Sequence, residues 1–104
     1  METKWTPGPW EIAVERMEDL GCDHIWIAPA SWVPRVARVV VYPEYEAEER
    51  ANAHLIAAAP NLYAALAEVA GSLHQTARDR DLSEGELSFM RRVDAVLSKA
   101  RGEA

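Results

Sequence analysis

The three histidines are the side chains best able to hold a metal ion, and their spacing does not form a ligand set. They are His24, His54 and His74. A helical metal site normally places two ligands one turn apart on the same face. The residue one turn before His54 is Arg50, whose positive charge would repel a metal ion, and Glu49 is turned to the side. The sequence therefore predicts no metal site and no cofactor.

The possible nucleophiles also lack the neighbours that activate them. No serine is flanked by the glycines of a nucleophile elbow, and the single cysteine, Cys22, has no histidine partner that the sequence reveals. Glu48 and Glu49 are adjacent, so on a helix their carboxylates diverge, whereas catalysis by a carboxylate pair needs them to converge. We therefore expect a protein that is not an enzyme.

The composition and net charge of the chain limit the kinds of partner that it could bind. The chain has 104 residues, a net charge of -6 and 49% hydrophobic residues, which predicts one globular domain over 1–104. A net negative charge disfavours direct binding to nucleic acid and suits docking on a basic partner protein. The N-terminus does not read as a signal peptide, and no apolar run is long enough to span a membrane. With one cysteine, no intramolecular disulfide forms, so we expect a soluble cytoplasmic protein.

The first part of the chain, about 1–43, has the pattern of an antiparallel β-meander. Trp10, Ile12 and Val14 alternate with polar residues and predict the first strand, and a connection of about seven residues, 17–23, follows. The segment 24–28 predicts a second strand with the isoleucines on one face, and the β-branched segment 35–42 a third.

The second part, 44–104, has helical periodicity. Acidic residues crowd the start of the first helix, where negative charge meets the positive end of the helix dipole. An apolar stripe is expected to pack that helix on the sheet: Ala47, Ala51, Leu55 and Ala58. Pro60 predicts a break, after which a second helix reaches about Ala77. A capping box formed by Ser83 and Glu86 predicts the start of a third helix, which ends near Gly102 and pairs with the second as an antiparallel hairpin. The fold class is thus α+β, a three-stranded antiparallel meander followed by three helices packed on one face.

The tryptophans supply candidate contact residues. Trp10 is in phase with Ile12 and is expected in the core. Trp26 lies opposite the isoleucines of its strand, and Trp32 lies in a loop, so for these two both burial and a place in an interface remain open. His24 shares the face of Trp26 and is expected to stack there or to lie in an interface. The predicted interface joins the two tryptophans with a cation and the acidic helix start: Trp26, Trp32, Arg38, Glu44, Glu46, Glu48 and Glu49.

Three segments of the chain resemble a known group of proteins. They are WTPGPW (5–10), ERANAHLIAAAPNLYAAL (49–66) and RRVDAVLSKARGEA (91–104). Together they resemble a family of small proteins of tailed bacteriophages and prophages marked by ANA-x-LIAAAP-x-LL-x-AL. Tyr63 stands where that pattern more often has leucine. The resemblance implies a phage origin and brings no catalytic residues.

By analogy with other small phage proteins, the resemblance implies a binding protein that inhibits a host protein, for example part of a defence system, by occlusion. The partner would be a host protein or protein complex, in the cytoplasm of the bacterial host. Two alternatives stay open. The first is a small-ligand binder or sponge in which Trp26, Trp32 and Arg38 hold a nucleotide-like anion, and the second is a homodimer or other oligomer that serves assembly.

Overall fold

A computed structural model describes residues 4–103 and confirms the predicted α+β class. Three strands are followed by three helices: β1 (Trp10–Met17), β2 (Cys22–Pro29), β3 (Ala37–Val41), α1 (Glu46–Ala57), α2 (Ala59–Asp79) and α3 (Glu84–Ala100). Short 3₁₀ turns occupy Glu18–Leu20 and Pro43–Tyr45. The chain forms two compact units, Met1–Asn61 and Leu62–Ala104, and each is described by itself.

The strands form one antiparallel meander in the order β1-β2-β3. Ile12 pairs with Ile27, and Ile25 pairs with Val39, so apolar residues of all three strands share one face. The predicted connection of about seven residues between the first two strands was too long, because β1 continues to Met17 and β2 begins at Cys22. Gly21 makes the shorter connection possible, since its φ of 68° is a left-handed conformation that side chains disfavour.

Helix α1 packs on the apolar face of the sheet. The core consists of Ile25, Ile27, Val39, Val41 and Ala53. Trp10 and Ile12 are partly buried against this core, as the alternation in β1 predicts. The small side chains of Ala53 and Ala57 face the strands and let the helix approach the branched residues closely.

The predicted packing stripe of α1 was wrong. Leu55 is 64% exposed, and Ala47 and Ala51 are exposed as well. Ala53 and Ala57 have the same one-turn spacing but lie two residues further along the chain, which is on the other side of a helix. Apart from the half-buried Ala58, the stripe therefore faces solvent, and the side chain of Leu55 is exposed.

The break at Pro60 is confirmed, because α1 ends at Ala57 and α2 begins at Ala59. Pro60 occupies the first turn of α2, where the missing amide hydrogen costs nothing. A Cβ placed on Gly8 would lie 2.7 Å from the Cβ of Pro60. The turn within WTPGPW therefore contacts the start of α2, and only glycine fits at that contact.

The second unit contains an α2–α3 hairpin. Ala70, Val93 and Leu97 form its buried core, with Tyr63, Leu66 and Ala67 partly buried around it. Arg101 donates to the Tyr63 hydroxyl at 3.1 Å, and His74 lies 2.9 Å from Asp94, so the helices run antiparallel as predicted.

Both ends of α3 follow the expected capping chemistry. The Ser83 hydroxyl accepts from the Glu86 amide, and the Glu86 carboxylate accepts from the Ser83 amide, which completes the predicted capping box. At the other end Gly102 has a φ of 77°. The amides of Gly102 and Glu103 donate to the carbonyls of Lys99 and Ser98, a Schellman motif that satisfies carbonyls of the last turn.

Candidate interaction surface

The sheet face that points away from α1 carries polar and aromatic residues. Because side chains alternate along β2, His24 and Trp26 lie on this outer face while Ile25 and Ile27 lie in the core. Trp26 pairs with Ala13 of β1 and with Arg38 of β3, and both of these neighbours are exposed. The sheet thus holds a half-buried tryptophan on its outer face, between exposed neighbours on the two adjacent strands.

Two arginines lie against the ring of Trp26. The guanidinium carbon of Arg35 is 4.4 Å from the ring centroid, and that of Arg38 is 5.6 Å away. The indole nitrogen donates to the Glu15 carboxylate at 3.5 Å, a long bond at the outer limit of hydrogen bonding. His24, which is only 8% exposed, meets the ring edge-on with centroids 6.5 Å apart. We call these five residues the Trp26 cluster.

The two arginines of the Trp26 cluster make no ion pair with the rest of the described chain, 4–103. Other arginines are paired: Arg50 lies 3.0 Å from Glu46 and 3.4 Å from Asp23, and Arg80 lies 2.7 Å from Glu86. A guanidinium stacked on an indole keeps its N–H groups at the rim free to donate. In a chain of net charge -6, the Trp26 cluster is therefore a local cationic surface that suits an anionic group.

The structure brings together only some of the predicted interface residues. Trp26 and Arg38 are in contact, and Arg38 and Glu49 line one cleft. Glu46 bonds to Arg50, and Glu44 precedes α1 in a 3₁₀ turn rather than starting the helix. Glu44 and Glu48 are exposed.

Trp32 lies in the loop between β2 and β3. It is half-buried, and its φ of 59° is unusual for a residue with a large side chain. Its amide donates to the Pro29 carbonyl at 2.8 Å, which closes the turn. Among residues 4–103, no hydrogen bond, ion pair or ring contact joins Trp32 to the Trp26 cluster, so the two tryptophans are separate candidates.

Arg35 is not among the interface residues predicted from the sequence. A third strand starting at residue 35 would place Arg35 and Arg38 on opposite faces, because their separation is odd. The strand instead begins at Ala37, so Arg35 lies in the preceding loop and reaches the same ring as Arg38. The sequence signal for this loop is Pro34. It lies at the end of the loop, and it has no amide hydrogen to donate to a neighbouring strand.

A cleft runs along β3 between the sheet and α1. Arg38, Val39 and Val40 line one side, and Glu49, Asn52, Leu55 and Ile56 line the other. Val39 faces the core, whereas Arg38 and Val40 face outward, so a cleft that all three line must pass along a strand edge. One edge of β3 is paired with β2, and the cleft therefore follows the free edge.

Within 4–103, no group of three or more histidine, cysteine, aspartate or glutamate side chains is arranged to hold a metal ion. No single helix in that range is long and apolar enough to cross a membrane. One pair, Pro43–Ala57 with Ala59–Asp79, meets those criteria of length and composition only when both helices are counted together across their break.

Comparison with known families gives the origin of the chain. The model of a family described as Salmonella phage P22 protein Y8K6 matches residues 1–104. The chain belongs to this family. No curated protein and no solved structure is significantly similar to the chain. Membership in the P22 Y8K6 family makes this a phage protein, consistent with the resemblance seen in the sequence.

Proposed function

We propose that this member of the P22 Y8K6 family binds a protein of the bacterial host, for example a component of a defence system, and blocks one of its functional surfaces. The observation that carries the proposal is the Trp26 cluster. Its tryptophan lies between two neighbouring strands, and its two arginines form no ion pair with a carboxylate among residues 4–103. Tryptophan and arginine are the residue types most enriched at energetic centres of protein interfaces.

The surroundings of the Trp26 cluster suit an interface that excludes water. Two guanidinium groups already contact the ring of Trp26, so it needs little further ordering when a partner binds. The exposed Leu55 and Ile56 lie on α1 beyond the free edge of β3, and they extend the contact with apolar surface. Glu44 and Glu48 add a separate acidic surface that would steer a basic region of the same partner.

The test is co-purification from Salmonella cells, the host genus in the family description, with the tagged full-length chain. We expect a host protein at fixed stoichiometry, and we expect its capture to be lost in Trp26→Ala and in the double variant Arg35→Gln/Arg38→Gln. The double variant removes charge without opening a cavity. Addition of the wild-type chain should then inhibit the purified partner, whereas the double variant should not.

A matched control is available in the second unit. Arg92 lies 5.7 Å from the ring centroid of the exposed Phe89, an arginine–aromatic pair comparable to Arg38 and Trp26. Arg92→Gln should leave capture unchanged. Equal capture by wild-type and double-variant chains would contradict the proposal. A nucleotide released on denaturation would favour the ligand-binding alternative, and a stable oligomer without partner or ligand would favour the assembly alternative.

A further inference from the structure

We propose that the partner binds through an extended acidic segment, which adds as a fourth strand to the free edge of β3. In this arrangement carboxylates of the segment pair with Arg38 and Arg35, and its alternate apolar side chains pack on Leu55 and Ile56. The inference rests on the proposed function, because it specifies which chemistry the bound protein presents to the Trp26 cluster.

The first step concerns the backbone of β3 and its unpaired edge. β3 is the last strand of the sheet, and within 4–103 no strand pairs with its outer edge. Every second residue of such an edge presents its N–H and C=O groups outward, which is the template for adding a strand. The cleft along β3 leaves room beside this edge, because α1 forms its opposite wall rather than covering the strand.

The second step concerns the wall of the cleft that α1 forms. Leu55 is 64% exposed and Ile56 is 36% exposed, and both line the cleft. Glu49 lies on the same wall and would repel a carboxylate placed there. The side chains of an added strand that point toward α1 are therefore expected to be apolar.

The third step concerns the side chains of the added strand that point away from α1. Side chains alternate along a strand, so the remaining residues of the added segment fall on the outer face, next to the Trp26 cluster. Arg35 and Arg38 lie there without an ion-pair partner among the described residues. Carboxylates are the protein groups that match guanidinium donors in a two-point geometry. The expected pattern in the partner is thus an alternation of acidic and apolar residues.

A second copy of this chain fits the edge less well. β3 consists of Ala37–Val41, ARVVV, which carries a cation and no carboxylate. In an antiparallel pairing of β3 with its own copy around a two-fold axis, Arg38 would therefore lie opposite an apolar or cationic residue of the same segment and would find no carboxylate.

The experiment measures binding of synthetic peptides to the full chain by isothermal titration calorimetry. The first probe is a short peptide that alternates glutamate and valine, and the controls are the lysine–valine peptide and a peptide of the same composition with its glutamates grouped together. We expect binding of the first peptide only. Arg38→Gln and Arg35→Gln should each weaken it about fivefold, while Arg92→Gln should have no effect.

Backbone methylation tests strand addition directly. In an added strand, the N–H groups of the glutamates point to one side and those of the valines point to the other. N-methylation of one set should abolish binding, and N-methylation of the other set should be tolerated. If both methylated peptides bind as well as the parent, or if the grouped peptide binds equally, the inference is wrong.

The oligomeric mass of the chain, measured without peptide by analytical ultracentrifugation, tests whether a second copy of the chain occupies the edge of β3. A dimer that does not bind the alternating peptide would show that a second copy fills the edge, and would overturn the inference. Failure here is distinct from failure of the proposed function. Co-purification that depends on Arg35 and Arg38, together with absent peptide binding, would overturn strand addition alone.

Discussion

Among the five glycines, Gly8 has the least room for a side chain. An alanine Cβ at this position would lie 2.7 Å from the Cβ and 3.0 Å from the Cγ of Pro60, and a proline ring at a helix start cannot rotate away. We expect Gly8→Ala to lower the free energy of unfolding by about 1–3 kcal/mol, the usual cost of overpacking. Urea unfolding followed by tryptophan fluorescence measures this change.

Gly71 provides the matched control for Gly8. It lies within α2, and a Cβ there would meet no atom within 4 Å. Gly71→Ala should therefore raise stability by about 0.5–1 kcal/mol through helix propensity alone. If both substitutions changed stability in the same direction, the contact between the WTPGPW turn and Pro60 would not be the reason for a glycine at position 8.

At the residue scale, alternation in the sequence was sufficient to place Trp26 and His24 on one face and Ile25 on the other. It was not sufficient to find Arg35. Which face a residue reaches depends on where the strand begins, and a strand boundary depends on loop packing that no local pattern encodes. Because β3 begins at Ala37, two residues later than predicted, Arg35 lies in the loop and contacts the ring of Trp26.

At the element scale, the orientation of α1 makes a direct prediction. Leu55 faces the cleft and solvent, whereas Ala53 is fully buried against the sheet. Leu55→Gln should change the free energy of unfolding by no more than about 0.5 kcal/mol, as at other surface sites. Ala53→Leu should lower it by about 1–3 kcal/mol because the core has no room for the longer side chain. Thermal unfolding of both variants measures the difference, and equal effects would indicate that the helix face was assigned wrongly.

The capping box of α3 predicts a dependence on pH. Hydrogen bonds from Arg80, and then from the Ser83 amide, lower the pKa of Glu86 to about 2 from an ordinary value of 4.5. A carboxylate with a lowered folded-state pKa contributes stability that is present above the unfolded-state pKa and lost as the pH falls through the folded-state pKa. The contribution of Glu86 should therefore be complete above about pH 5 and disappear toward about pH 2.

Glu86→Gln isolates that contribution. The melting temperature of the variant should be below that of the wild type at neutral pH, and the gap should close as the pH falls to about 2. Glu84→Gln serves as the control, since Glu84 lies in the same first turn but outside the capping box. A gap for Glu86→Gln that stays constant across this range would show that the charge of Glu86 is not the source of its effect.

Helix ends could be predicted more reliably from the sequence than helix faces. Ser83 with Glu86, Pro60 and Gly102 each act through local backbone chemistry, so each marked its helix boundary correctly. The face of α1 could not be predicted in that way. Two alanine stripes, one through Ala51 and one through Ala53, have the same spacing, and the choice between them depends on the shape of the sheet surface.

At the scale of the whole molecule, we expect the two compact units to unfold together. A single domain over 1–104 stays a prediction, and size supports it. Domains below about 60 residues bury too small a fraction of their surface to be more than marginally stable alone. Among the described residues of the second unit, 62–103, the buried core is limited to Ala70, Val93 and Leu97. The division between the units, after Asn61, also falls within the residue range of α2, Ala59–Asp79.

The positions of the tryptophans allow joint unfolding of the two units to be tested without any substitution. All four, Trp5, Trp10, Trp26 and Trp32, belong to the first unit, so tryptophan fluorescence reports on that unit. Far-UV circular dichroism is dominated by helix, and α3 and most of α2 belong to the second unit. We expect both signals to give the same midpoint in urea, because probes of one cooperative domain coincide. A lower midpoint by circular dichroism would mean that the second unit unfolds first, and the molecule would then be two domains joined by a shared helix.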